Sequence, residues 1–185
     1  MDYPVSGLCY VKDYLSHNQQ ASLIHQIDKS LWLTDLKRRV QHYGYKYDYR
    51  RRTIDDSLYL GSLPDWLEAL AQQIHHSGYM PAQADQVIIN EYLPGQGISP
   101  HIDCEPCFGD VIVSLSLGSS CIMDFTKDRE HVSVMLEPGS LLVITGEARY
   151  DWKHGIAARR EDVMNGVRHP RGRRLSVTLR TVIKN

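Results

Sequence analysis

Apolar residues recur at helical intervals twice in the first half of the chain and at strand-like intervals through most of the second. Leu23, Ile24, Ile27 and Leu31 share one helical face, and Ser16 precedes Gln19 at capping-box spacing, which predicts a helix over about 17–30. A second helix is predicted after Ser62, Pro64 and Asp65, with Leu67, Leu70, Ala71 and Ile74 as its apolar stripe and Gly78 as its stop. From residue 86 the runs VIINEYL, DVIVSLSLG, SCIMDFT, HVSVMLE, SLLVITG and RRLSVTLRTVI have the character of strands. Turns at Pro94-Gly95, Gly118 and Pro138-Gly139 separate them at the spacing of a sandwich or barrel, so the fold class is mainly β with flanking helices. Between the helices, Tyr43, Tyr45, Tyr47 and Tyr49 are two apart, which predicts four rings on one side of a surface hairpin or flap.

Composition narrows the class. The 185 residues suit one domain spanning 1–185, since a chain of that length buries about 70% of its unfolded surface. With 42% apolar and 23% charged residues, disorder and a membrane-embedded fold are both disfavoured. The start MDYPVSGLCYVKDYL is acidic and lacks a long apolar run, so neither a signal peptide nor a spanning helix is expected. A cytoplasmic monomer follows, or a nuclear one in a eukaryote, with no membrane partner. Cys9, Cys104, Cys107 and Cys121 are too few for a disulfide scaffold and are expected as reduced thiols.

The formal charge of 21 − 22 = −1 argues against a purely electrostatic nucleic-acid binder, but the charge is uneven. Residues 37–52 hold seven Lys/Arg against one Asp, and residues 159–174 hold six Arg against two acids. Either run suits a phosphate backbone or a solvated face.

His101-Ile102-Asp103 opens the candidate chemistry. In a strand, residues two apart project to one face, so the imidazole and the carboxylate can share an ion. His154 is the leading third ligand because it follows an apolar strand and the turn Thr145-Gly146-Glu147, whereas His131 and His169 lack that flanking pattern. Two His and one carboxylate form a facial triad that suits non-haem Fe(II), leaving positions for a chelating cosubstrate and O2. Cys104 and Cys107 form a CxxC beside it; a zinc site there would crowd adjacent backbone around one ion, and a structural role is favoured.

Arg174 and Arg180, six apart in RLSVTLR, face the same way on one strand and call for two anions, a need that a dicarboxylate such as 2-oxoglutarate meets. Asn90 and Tyr92 can donate to the same ligand.

These motifs, in this order, resemble the AlkB family of nucleic-acid dioxygenases. The resemblance runs through NEYLPGQGISPHID, SLSLGSSCIMDF, SLLVITGEARYDWKHGI and RRLSVTLRTV, a core over about 86–183, and HYGYKYDYRRRTI resembles the family's substrate lid, over about 35–60. SLSLGS, MDF and TGEARYDWKHGI resemble the oxygenase domain of AlkB homologue 8, which hydroxylates a wobble-uridine modification in transfer RNA.

The resemblance implies a double-stranded β-helix, or jelly roll, with iron held by His101, Asp103 and His154. It implies that Arg174, assisted by Tyr92, pairs with the distal carboxylate of 2-oxoglutarate, and that Arg180 with Asn90 serves the chelating end. Two departures stand out. Ser176 replaces the Asn of many repair enzymes near the cosubstrate, and Glu105 resembles the acid with which repair enzymes contact the base.

The implied activity is oxidative dealkylation of alkylated or etheno bases in DNA or RNA, flipped out or single-stranded. Tyr45, Tyr47 and Trp152 are candidates to stack on the base, with Tyr43 and Tyr49 beside them, and Arg50, Arg51 and Arg52 to meet phosphates. Hydroxylation of a modified uridine in transfer RNA is the main alternative, and a protein hydroxylase or a noncatalytic metal-binding jelly roll lies further off.

Overall fold

The computed structural model describes residues 3–34, 36–48, 51 and 53–184. Strand β1 (Leu8–Val11) leads into helix α1 (His17–Lys29), whose start is a reciprocal box. Ser16 Oγ accepts the Gln19 amide, and Gln19 Oε1 accepts the Ser16 amide, an arrangement that contributes about 1 kcal/mol. Ser30 turns to extended backbone and ends the helix, so Leu31 is exposed instead of extending the buried stripe. Strand β2 (Val40–Tyr43), a single 3-10 turn at Asp56–Leu58 and helix α2 (Asp65–His76) follow.

The remainder is β3 (Gln86–Tyr92), β4 (Ile98–His101), β5 (Ile112–Gly118), β6 (Cys121–Lys127), β7 (Glu130–Leu136), β8 (Leu141–Ile144), the short helix α3 (Gly146–Tyr150), β9 (Lys153–Ile156), β10 (Glu161–Met164), β11 (Val167–Pro170) and β12 (Arg174–Arg180). All pairings are antiparallel. One sheet runs β1-β8-β5-β12-β3-β2, the other β4-β9-β6-β7, and β10-β11 is a separate hairpin. The mainly β, two-sheet expectation of a jelly roll therefore holds. Among the described residues no helix is long and apolar enough to cross a membrane.

Period-two alternation divides the core in two. On the large sheet, Val87, Ile89, Val113, Leu115, Leu117, Leu141, Val143, Leu175, Val177 and Leu179 pack with Leu23 and Ile27 of α1 and Leu67, Leu70 and Ile74 of α2. The opposite face contributes Tyr92, Ile112, Leu142 and Ile144 to a second cluster that Met123, Phe125, Val134, Leu136 and Ile156 of the small sheet complete. Five polar residues of β3 and β12, namely Gln86, Asn90, Arg174, Ser176 and Arg180, are buried as well and fall in the same alternation as Tyr92, whereas buried Glu91 falls in the other.

The four tyrosines do not form one row. β2 ends at Tyr43 because Gly44 takes a φ of 74°, where a Cβ would lie 1.9 Å from the Asp85 carbonyl oxygen. Beyond that bend, Tyr43 packs on Trp66, Tyr45 on Tyr59 and Tyr47 on Phe108, in three different directions; Tyr49 lies outside the described residues.

Candidate active site

β4 and β9 pair so that His101 and His154 stand directly across from each other, their ring centroids 4.5 Å apart. Asp103 does not share the strand with His101, as the HxD spacing predicted; β4 ends at His101, and Asp103 follows in the segment beyond it. The donors converge all the same. Asp103 Oδ1 is 3.4 Å from His101 Nε2 and 3.9 Å from His154 Nε2, and one atom from each residue lies within 4.8 Å of the others. Among the described residues this is the one group of three or more His, Cys, Asp or Glu so arranged. His131 instead meets Asp124, at 3.0 Å, and neither it nor His169 of β11 belongs to the group. The His101 ring is oriented by Nδ1, which lies 2.9 Å from the Ser99 carbonyl; with the proton there, Nε2 offers its lone pair to a cation.

The surroundings set the protonation states. Burial pushes His154 down to about 4, and the neighbouring His101, Arg149 and Arg180 add to this, although Asp103 opposes it. Burial also opposes the Asp103 carboxylate, but Arg180, the His101 hydrogen bond and His154 outweigh it and hold that carboxyl well below the usual range. At neutral pH His154 is therefore a neutral imidazole beside the Asp103 carboxylate, donors that a divalent cation needs.

Gly155 of β9 is pressed against β4, the strand that carries His101. A Cβ there would lie 2.9 Å from Pro100 N and 3.0 Å from both Ile98 O and Pro100 Cα, all backbone of β4. Gly155→Ala is thus expected to push His101 away from His154, destabilise the protein by about 1–3 kcal/mol and weaken metal affinity. Calorimetric titration with Mn(II) and thermal unfolding check this; wild-type affinity would mean that β4 yields without moving His101.

Sequence reasoning missed the residue that organises the segment after Asp103. Arg149 of α3, 2% exposed, donates to the carbonyls of Asp103 (2.9 Å), Cys104 (3.3 Å), Phe108 (3.3 Å) and Gly109 (3.4 Å). Its only sequence signal was its place in TGEARYDWKHGI, five residues before His154. Cys104 and Cys107 are joined in a disulfide that closes the same turn, so the expected reduced thiols are found at Cys9 and Cys121 alone.

The polar face of β3 and β12 carries the residues that the sequence singled out for a cosubstrate. Arg180 reaches Asp103 Oδ2 at 3.2 Å and Gln86 Oε1 at 2.8 Å while lying 3.8 Å over the Phe108 ring, and Asn90 accepts from Arg38 Nε at 2.8 Å. Arg180 and Asn90 thus meet different partners, and Arg180 steadies the Asp103 carboxylate through charge and hydrogen bond. Arg174 is 2% exposed, donates to Ser116 Oγ at 2.9 Å and lies over Tyr92. Among the described residues, its Nε and Nη1 have no hydrogen-bond partner. A buried guanidinium with two open donors fits a carboxylate ligand. Ser176 pairs with Asn90 across the strands and shares a 3.1 Å hydrogen bond with Ser114. Burial raises the Tyr92 phenol, which keeps its proton for donation.

The substrate candidates scatter. Tyr47 reaches the site through Phe108, whereas Tyr45 is buried against Tyr59, and Trp152, 3% exposed, is a core residue that offers no free face for a base. Glu105 is exposed in the turn beside Asp103, and Arg51 is exposed and 3.7 Å from Asp48. Arg50 and Arg52 lie outside the described residues. The basic run at 159–174 is largely paired internally: Arg159 and Arg171 bind Asp162, Arg168 binds Glu161, and Arg173 bridges Asp28 and Glu91. Those charges are committed to holding the fold and form no continuous phosphate track.

A model of the 2OG-Fe(II) oxygenase superfamily matches residues 30–180. An uncharacterized protein of Acanthamoeba polyphaga mimivirus is 37% identical over 183 residues, covering 97% of this chain and 87% of that protein. The tRNA (carboxymethyluridine(34)-5-O)-methyltransferase ALKBH8 of Macaca fascicularis is 42% identical over 170 residues, which cover 85% of this chain but only 25% of that protein. The solved structure of OsALKBH1 superimposes with a TM-score of 0.77 at 19% identity, covering 97% of this chain and 99% of that one, and shares the fold. With residues 30–180 matched and the His-Asp-His group lying inside that span, the chain belongs to the 2OG-Fe(II) oxygenase superfamily.

Proposed function

We propose that the chain oxidises alkyl substituents on nucleic-acid bases, using Fe(II), 2-oxoglutarate and O2. The observation that carries this reading is the convergence of His101, Asp103 and His154, beside which stands a second one, a buried Arg174 with two open donors on the same strand as the Arg180 that meets Asp103. His101, Asp103 and His154 would hold the metal, and Arg174 with Tyr92 would bind the distal carboxylate of the cosubstrate. Bound together, iron and 2-oxoglutarate supply the oxidising power for hydroxylating a C–H bond with O2.

The residues of the chain then orient and shield. Arg180 holds Asp103 in place, Ser99 fixes the His101 ring, and Arg149 with the Cys104–Cys107 bridge keeps the turn carrying Glu105 at the mouth. Tyr47 offers an aromatic surface on Phe108, and Arg51 a cation on the lid. A hydroxyl placed on a carbon bound to a base nitrogen collapses to aldehyde and restored base, and one placed on a carbon-linked substituent remains. The proposal includes a monomer acting in the cytoplasm, or in the nucleus of a eukaryote.

Dealkylation is favoured by Glu105, a carboxylate able to accept from an exocyclic amine or attract a cationic methylated base. Hydroxylation of a transfer-RNA uridine is the second reading, favoured by 42% identity to a protein named for transfer-RNA chemistry. Mass spectrometry separates them. Oligomers bearing methylated cytosine or etheno-adenine are expected to lose the adduct, and Glu105→Gln to slow both while leaving metal binding intact. A modified uridine gaining one oxygen, with the other oligomers untouched, would select the second reading. Succinate release with no change in any base would remove nucleic acid as substrate.

A further inference from the structure

The segment 37–40, KRRV, enters β2 beside the active site, and its two arginines divide between the faces of the sheet. The Arg39 carbonyl accepts the Glu91 amide, and the Arg39 side chain binds Glu91 through two hydrogen bonds of 2.6 and 2.8 Å on the face away from the metal. Val40 pairs with Asn90. Alternation therefore sends Arg38 the other way, where its Nε donates to Asn90 Oδ1 at 2.8 Å and its guanidinium lies 5.7 Å from the centroid of the Tyr92 ring. Arg174 lies 5.5 Å from the centroid of the same ring.

Two cations thus share one buried phenol. Arg39 and Arg173 share the Glu91 carboxylate, whereas among the described residues no carboxylate pairs with half-buried Arg38, and its terminal nitrogens remain as donors. Accepting from Arg38 at Oδ1 leaves the Asn90 amide NH2 to donate elsewhere.

We propose that Arg38 is a positioning residue of the cosubstrate pocket, fixing the Asn90 carboxamide so that its NH2 faces an anionic ligand beside Tyr92. This rests on the oxygenase reading above and extends it to a residue outside β3, β4, β9 and β12. The cosubstrate is the occupant chosen, in preference to a substrate phosphate, because both partners of Arg38 are residues facing that pocket.

The test is calorimetric titration of 2-oxoglutarate into the Mn(II)-loaded protein, for wild type, Arg38→Ala, Arg38→Gln, Asn90→Ala, the double variant Arg38→Ala/Asn90→Ala, and Arg174→Ala. Losing a charge-assisted hydrogen bond is expected to weaken binding about tenfold or more in Arg38→Ala. Arg38→Gln, which keeps an N–H for Asn90 without the charge, should recover part of the loss. If Arg38 acts through Asn90, the double variant binds no more weakly than the worse single one; simple addition of the two losses overturns positioning. Unchanged affinity in Arg38→Ala with weakened binding in Arg174→Ala overturns the proposal and leaves the oxygenase reading intact. Unchanged affinity in both variants removes both. Should Arg38→Ala bind the cosubstrate normally but an unmodified oligonucleotide less tightly, Arg38 belongs to the nucleic-acid surface and the proposal fails.

Discussion

His154→Ala is expected to abolish tight Fe(II) binding and cosubstrate turnover while leaving the folded protein in solution. Each of three protein donors occupies one corner of the site, and His154 is the one supplied from β9. Outer partners of metal ligands commonly alter affinity or activity by about 10–100-fold, so loss of a ligand itself should exceed about a hundredfold. Metal content measured on the purified protein, succinate release and circular dichroism read the three consequences separately. Stoichiometric iron with full turnover would dismiss the triad.

The same residue leaves a pH signature. Burial holds folded His154 near 4, whereas an unfolded histidine titrates near 6.5, so between those values the unfolded chain carries the extra proton. Stability of the metal-free protein from this source is present above about 6.5 and is lost as pH falls toward 4. In His154→Ala that part of the slope should vanish from denaturant titrations.

The largest effect on stability is expected at Asp162→Ala. Asp162 is completely buried and accepts from Arg171 Nε and Nη2 and Arg159 Nε, all at 2.7 Å, and from the Ile122 amide at 3.1 Å. It ties the β10-β11 hairpin to β6, and little else can, because Val163 and Val167 are exposed. Removing it leaves Arg171 buried without a counter-charge, at a cost of about 3–5 kcal/mol. The melting temperature should fall by roughly 10 °C or more. Asp162→Ala combined with Arg171→Leu should regain part of the loss, since the stranded charge is then gone. A single variant melting within a degree of wild type would show that the hairpin is held by something else.

What could be read in the sequence follows from which forces leave a periodic trace. The capping box at Ser16, the apolar stripe of α2 and the strands β3, β5, β6, β7, β8 and β12 were legible because apolar burial writes a helical repeat or a short strand-like run. His154 was legible as a partner for His101 and Asp103 because it follows such a strand. The β10-β11 hairpin was not, since ion pairs centred on Asp162 hold it and apolar alternation does not; its arginines looked like a surface patch. The tyrosine row failed at Gly44, where close approach to Asp85 bends the chain. Arg38 was hidden in a basic run, because nothing in KRRV tells which arginine faces Asn90 and Tyr92; only the register Val40 to Asn90 decides it.

On β12, neighbouring positions answer to different demands. Leu175, Val177 and Leu179 serve the helix-side core, while Arg174, Ser176 and Arg180 belong to the polar side of the strand. Selection on abundance and selection on chemistry are thereby interleaved at single-residue spacing without competing for the same side chains. A lineage of such proteins can exchange polar residues on one side, and so change what it binds, while the other side keeps the chain folded.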